Sequence, residues 1–274
     1  MLLLEVIDAT FAYGGGDPVF SGISFQLGKG EVFCLLGPNG CGKTTLLDCI
    51  LGINRLKSGR ILLNDRDAAS FAPGQIARHI AYVPQVHTHT FPYRVIDVVT
   101  MGRAVYIGRF SSPSRSDVRI AEEMLEAVGL THLRNRPYTQ LSGGEVRLVM
   151  IARALAQKTP VIVMDEPTAH LDFKHEMMVL EKIAELVRSR GLSILMATHF
   201  PNHAFYFENN NVPTRAALMY NRSIQEVGPP SQVITENNIR SVYCVNTRMI
   251  DCRIDSKHWL KQLVPVNTLK CSRA

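Results

Sequence analysis

The sequence predicts an α/β fold with a mostly parallel sheet, and three observations carry that expectation. VFCLLG at 32–37 is almost wholly apolar, as a strand covered on both faces must be, and a glycine turn and the helical stretch KTTLLDCILG follow it directly. VIVMDEP and LSILMATH, further on, have the same buried-strand character. Between them lies HEMMVLEKIAELVRSRG, an apolar pattern of helical period, so the chain returns to alternating strand and helix.

Up to about residue 85 the pattern is short β-type runs broken by Gly, Asp and Asn: LLLEVIDATFAY, GISFQL, VFCLLG and GRILLND. From 86 to 158 the strand signal fades. FPYRVIDVVTMGR and SDVRIAEEMLEAVGL place apolar residues at helical spacing on either side of a Ser/Pro-rich loop at 111–116. In the second of these, Val118, Ala121, Leu125 and Val128 share a face, with Ser116 as the candidate N-cap and Gly129 as the stop. A helical insertion is expected here, and the segments before and after it are expected to share one sheet. Asn209 to Asn211 with Val212 and Pro213 predict a surface loop. The stretch from GPPSQVITENNI to the end carries no motif.

The 274 residues, 46% of them hydrophobic, suffice for one large domain or a domain with a lobe. No apolar run approaches the ~18 residues of a membrane span, and MLLLEVIDATF lacks the basic and long apolar regions of a signal peptide, so a cytoplasmic protein is expected. The net charge of +6 is scattered along the chain, which favours a solvated surface over a nucleic-acid groove. Cys34, Cys41, Cys49, Cys244, Cys252 and Cys271 form no CxxC pair and have no histidine at zinc-like spacing; reduced thiols are expected. His87 and His89 lack further ligands nearby and read as a polar loop.

GPNGCGKT, Gly37 to Thr44, matches G-x-x-x-x-G-K-[ST] in full, between a strand and a helix. Gly40 and Gly42 let consecutive amides face one point, and the helix N-terminus adds positive potential for a phosphate. Lys43 supplies a point charge for the terminal phosphates, and Thr44 a hard oxygen for Mg²⁺. The thiol of Cys41 sits in that anion nest: the field would favour a thiolate, or the residue is merely small where only backbone matters. Asp165 and Glu166 end the strand of VIVMDEP at the sheet edge where the phosphate loop also emerges. Divided labour is expected, with Asp165 holding Mg²⁺ through water and Glu166 orienting or deprotonating the attacking water.

A second glycine turn stands in LSGGEVRLVMIARALA. Ser142 and Glu145 have capping-box spacing, and Leu148, Ile151 and Leu155 form the apolar face of the helix they begin. This is either a well-capped helix alone or, through the amides at Gly143 and Gly144, a second anion site.

GPNGCGKTT (with Pro38, Asn39 and Thr45), YVPQ, LSGGE, VIVMDEP, AHLD and MATH, in that order, resemble the motif set of ATP-binding-cassette ATPases over about residues 1 to 230. The resemblance implies a P-loop NTPase core with the mostly parallel sheet (about 1–85 and 159–230), an N-terminal antiparallel β subdomain, and a helical subdomain (about 86–158) inserted before the signature. A C-terminal extension at 231–274 would pack on the core. It further implies a head-to-tail homodimer enclosing two ATP and Mg²⁺, each ATP held by one subunit's first loop and by Ser142, Gly143 and Gly144 of the other. Tyr13 would stack on adenine, Gln85 would contact Mg²⁺ and water and sense the membrane partner, His199 would contact the γ-phosphate, and Asp172 would link the two sites. Without the motif order, Phe11 and Tyr13 would read as core-facing strand residues.

FPYRVIDVVTMGR with the Ser/Arg-rich loop, AHLD and GPPSQVITENNIRSVY are similar to ATPase subunits of iron-siderophore, haem, cobalamin and molybdate importers. That similarity implies two transmembrane permease subunits docking between core and helical subdomain, a substrate-binding protein, no nucleic acid, and a place on the cytoplasmic face of the membrane. An iron or other metal chelate is the expected solute, molybdate or tungstate the alternative, and a soluble non-transport cassette ATPase the competing class. Two departures stand out. Many relatives continue the signature as Gln-x-Gln-Arg, whereas this chain has Glu145, Val146, Arg147 and Leu148, so those contacts do not carry over. His199 to Gly228 is also longer than usual, with the Asn-rich loop as the insertion.

Overall fold

A computed structural model describes residues 1–72, 74–85, 91–108, 110–253 and 259–269. The motif histidines His87 and His89, like Cys271, lie outside the described residues. The central strands β3 (Val32–Leu36), β7 (Val161–Asp165) and β8 (Ser193–Thr198) are buried at every position, because helices and a second sheet cover both faces. They belong to a six-stranded sheet ordered β10-β9-β3-β8-β7-β6, completed by β6 (Ile80–Val83), β9 (Thr214–Tyr220) and β10 (Ser223–Gly228). All pairings in it are parallel except the β9–β10 hairpin. The expected mostly parallel sheet is present, with β3 and β6 from the first part of the chain beside β7, β8 and β9 from the last.

The other N-terminal strands form a separate antiparallel sheet, β2-β1-β4-β5, from β1 (Leu2–Phe11), β2 (Phe20–Gly28), β4 (Ser58–Leu63) and β5 (Arg66–Asp67). Its inward residues Leu4, Phe20, Ile23 and Leu27 meet Phe33 and Leu35 of β3 and Leu46 and Leu47 of α1 (Lys43–Ile50) in one core. On the opposite face of the parallel sheet a larger core gathers α2 (Val95–Thr100), α3 (Arg115–Ala127), α4 (Gly143–Ala156) and α5 (Phe173–Arg190).

Ala121, Leu125 and Val128 of the expected face are buried, and Val118 packs against them. The N-cap, however, is Ser114 and not Ser116. Asp117 stands three residues after Ser114, so hydroxyl and carboxylate exchange bonds with the two free amides, a reciprocity that Ser116 cannot offer. The Asn-rich stretch is likewise less of a loop than expected. Asn209 ends α6 (Pro201–Asn209), and Val212 is buried where the chain enters β9.

The C-terminal stretch, silent in sequence, forms α7 (Pro230–Val233), α8 (Glu236–Tyr243) and an antiparallel hairpin of β11 (Val245–Arg253) and β12 (Trp259–Thr268). Val233, Ile239, Val242 and Leu263 enter the larger core. The amides of Asn202 and Asn209 on α6 bond both N–H and C=O of Leu263 and Lys261, imitating a neighbouring strand along β12. Cys34, Cys41, Cys49 and Cys252 are free thiols. Cys244 corrects the all-reduced expectation: it is disulfide-bonded.

Candidate nucleotide site

The sheet register brings the expected residues together. Leu36 pairs with Thr198 and Asp165 with Ala197, so β3, β7 and β8 end level and release Gly37, Glu166 and His199 at one edge. Gly42 caps α1 at φ 104°, a left-handed conformation that turns the amides ahead of α1 inward and that a side chain would resist. Lys43 is 6% exposed; its ammonium donates to the carbonyls of Gly37 (2.7 Å) and Pro38 (3.2 Å) and lies 3.8 Å from Glu166 Oε1. Asn39 and Gly40 are exposed on the loop, and Gly40 is also left-handed.

Thr44 Oγ1 donates to Asp165 Oδ2 at 2.8 Å, while Oδ1 of the same carboxylate is buried with no hydrogen-bond partner among the described residues. Burial pushes the Asp165 carboxyl above its usual range and the adjacent Glu166 charge adds to this, against the Thr44 hydrogen bond and Lys43. An orphaned hard oxygen beside a hydroxyl fits a hard divalent cation such as Mg²⁺, which takes few protein ligands and fills its shell from phosphate and water. No cluster of three His, Cys, Asp or Glu suited to a metal occurs among the described residues.

Glu166 is 5% exposed and held at φ 46°, a strained geometry for a residue with a side chain, with its amide bonded to Ala197 C=O. Its Oε2 meets His199 Nδ1 at 2.8 Å. Lys43, Thr44, Asp165, Glu166 and His199 thus form one connected cluster of cation, carboxylates and imidazole.

Tyr13 is 57% exposed and stands edge-on to the buried Phe11, with its hydroxyl 3.4 Å from Thr45 Oγ1. That excludes the core-facing reading for Tyr13 and leaves its ring free at the mouth of the loop. Cys41 follows the plainer of its two readings: burial pushes its thiol up, and the lowering by Lys43 and the loop amides does not offset this.

Four expected residues are not drawn into this cluster. Gln85 follows β6, and no described residue of the phosphate loop or the carboxylate pair hydrogen-bonds its side chain. Ser142, Gly143 and Gly144 begin α4, and no hydrogen bond or ion pair among the described residues joins them to the phosphate loop. There the capping box is complete, with Ser142 N–H donating to Glu145 Oε2 (2.7 Å) and Glu145 N–H to Ser142 Oγ (3.4 Å). A Cβ on Gly144 would lie 2.2 Å from His175 Cδ2, and His175 is itself bonded to Asp172, the N-cap of α5. Close packing therefore fixes the α4 N-terminus on the Asp172 turn.

Three residues at the site had no role assigned from sequence, Arg147 standing out only as a departure in the signature helix. His203 is buried and links Thr198 Oγ1 (2.9 Å) to Glu176 Oε1 (2.6 Å), tying the strand before His199 to the first turn of α5. The Tyr243 hydroxyl, brought by the C-terminal extension, is buried against Gly37 and Cys41. Arg147 Nη1 and Nη2 donate to the carbonyls of Pro84 and Gln85, each at 2.7 Å. Each depends on at least one partner far away in sequence, so only the motif residues they touch could have pointed to them.

Among the described residues no helix is long and apolar enough to cross a membrane. The family model for ABC transporters matches residues 20–169. The molybdate import ATP-binding protein MolC of Haemophilus influenzae is 34% identical over 240 residues, covering 88% of this chain and 87% of its own. The hemin import ATP-binding protein HmuV of Bordetella pertussis is 34% identical over 257 residues, covering 91% and 95%. An inward-facing structure described as a metal-chelate type ABC transporter superposes with a TM-score of 0.85 at 30% identity, over 97% of this chain and 98% of that one. By its motifs, its fold and these likenesses, the chain belongs to the ABC transporter family as an ATP-binding, ATP-hydrolysing subunit of a membrane transport complex.

Proposed function

We propose that the chain powers import of a metal-bearing solute, an iron or other metal chelate, from the cytoplasmic face of the membrane. The convergence of Lys43, Thr44, Asp165, Glu166 and His199 on one sheet edge carries the catalytic part of this reading. The solute class rests on the named relatives, one a hemin and one a molybdate importer subunit, with molybdate the alternative.

In the site, amides of Gly37 to Thr44 and the Lys43 ammonium receive the phosphates, and Tyr13 offers its free ring to adenine. Thr44, Asp165 and Gln85 are the residues that would hold Mg²⁺, Asp165 through water, and the ion would supply charge neutralisation to the phosphate oxygens. Glu166 accepts the proton of the attacking water. His199, fixed by Glu166, turns to the γ-phosphate. Ser142, Gly143 and Gly144 serve the ATP of a second subunit; Ser142 and Gly143 are exposed at the packed start of α4.

Two such subunits work with two permease subunits and a substrate-binding protein. A cleft of about 310 Å³ between the core and the helical segment suits a permease helix: Leu51, Ile53, Tyr82, Met101 and Arg153 line it, and Ile53 and Met101 are exposed. ATP closure of the dimer would move this cleft.

Vesicles holding the subunit with its permease and binding protein test the reading. Mg²⁺- and ATP-dependent uptake of an iron chelate is expected, with molybdate uptake reassigning the solute. ATP turnover with no association with any membrane subunit would overturn the transport role.

A further inference from the structure

Arg147 stands where the signature helix departs from the common pattern, and its contacts lead away from that helix. Its guanidinium donates to two successive carbonyls, Pro84 and Gln85, at 2.7 Å each. The rigid planar fork of the guanidinium presents Nη1 to one carbonyl and Nη2 to the other in one fixed geometry, which a flexible ammonium does not impose. Arg147 is 8% exposed, and its hydrogen-bond partners among the described residues are these two carbonyls. Two carbonyl dipoles are therefore what stabilises a desolvated charge, so releasing either is costly.

A second contact makes this a strap rather than a point. At the far end of α4, Gln157 Nε2 donates to the carbonyls of Ala77 and Ile80, at the start of β6. β6 is the edge strand of the six-stranded sheet, and its hydrogen-bonding inside the sheet comes from β7 alone. α4 thus holds β6 before its first residue and after its last. The same helix carries Ser142 to Gly144 at its N-terminus, locked by the capping box and by His175.

We propose that Arg147 is a positioning residue that fastens the Gln85 turn to α4, so that Gln85 and the Ser142–Gly144 turn move as one body. This rests on the two-site reading above. Under it, a shift of Gln85 at one subunit's ATP is carried by α4 to the turn that meets the other subunit's ATP.

The test uses full-length protein with Arg147→Met, Arg147→Lys, Gln85→Ala and the Arg147→Met/Gln85→Ala double variant. In nucleotide-free protein, amide exchange at Gln85 is expected to rise about tenfold in Arg147→Met and less in Arg147→Lys, with β3 unchanged. Steady-state turnover is expected to fall about tenfold in Arg147→Met at a KM for ATP within about twofold of the parent, and the double variant to be no slower than Gln85→Ala alone. Unchanged exchange at Gln85 would overturn the strap. A double variant slowed by the product of the two single losses, or a raised KM at unchanged kcat, would overturn the coupling. Should Gln85→Ala leave turnover intact, the role given to Gln85 fails instead, and the exchange measurement still decides the strap. Should Arg147→Met not fold, Arg147→Lys keeps the charge and decides both.

Discussion

The two glycine turns are built to opposite plans. The first, Gly37 to Thr44, sits at a sheet edge where Lys43 and His199 meet Glu166 and Thr44 meets Asp165, and it leaves one buried carboxylate oxygen without a partner among the described residues. The second, Ser142 to Gly144, satisfies itself through its capping box and brings no ionised group but Glu145. The difference teaches where each can act. A loop with convergent charge and an unsatisfied acceptor can organise a phosphate and a cation alone, whereas a turn of backbone donors can only complete a site that another surface provides.

The largest expected effect breaks the first site. Glu166→Gln removes the proton acceptor while keeping shape, so turnover should fall by about 100-fold or more while ATP-bound dimers accumulate on a sizing column. Retained turnover would show that Glu166 is not the base. Next, Ser142→Arg blocks the second turn: hydrolysis should be abolished, with ATP affinity of the lone subunit within about twofold of the parent. Loss of that affinity would mean that both turns serve the same ATP and that the contrast between them is false.

Smaller effects sharpen why each needs glycine. Gly144→Ala drives a Cβ into the His175 ring and should cost about 1–3 kcal/mol, read as a lowered thermal midpoint. Gly40→Ala meets nothing within 4 Å but sits at φ +81°, so about 1–2 kcal/mol of backbone strain is expected there. Trimming His175 to alanine should rescue the Gly144 variant in part, since the ring is removed while the His175 Cβ stays 2.9 Å away, and leave the Gly40 variant unchanged.

The smallest effect concerns pH. The Ser142 amide holds the Glu145 carboxyl below its ordinary 4.5. Its contribution is therefore complete above that value and is lost as pH falls through the depressed one. Amide exchange at the start of α4, corrected for intrinsic rate, should gain protection loss in acid, and Glu145→Gln should flatten that dependence.

How much could be read in advance follows from how local each feature is. The Ser142 capping box was legible because donor and acceptor are three residues apart. The cap of α3 was misplaced by two residues because two serines compete there and the choice falls to Asp117, whose carboxylate reaches only Ser114. β3, β7 and β8 showed as apolar runs, since strands buried on both faces must be apolar throughout. The hairpin of β11 and β12 did not, because most of its positions are exposed and its edge is held by Asn202 and Asn209, about sixty residues away.

By itself the sequence determined the strand–turn–helix of the phosphate loop, the second capped turn and the parallel sheet, since these arise from backbone geometry and burial within short windows. Only the tertiary structure decided what those pieces touch: His199 on Glu166, Tyr243 behind Gly37, and Arg147 on the Gln85 turn. Each joins residues 33 to 206 positions apart at a packed surface, the first and last through hydrogen bonds and Tyr243 through burial, and no local pattern records such pairings.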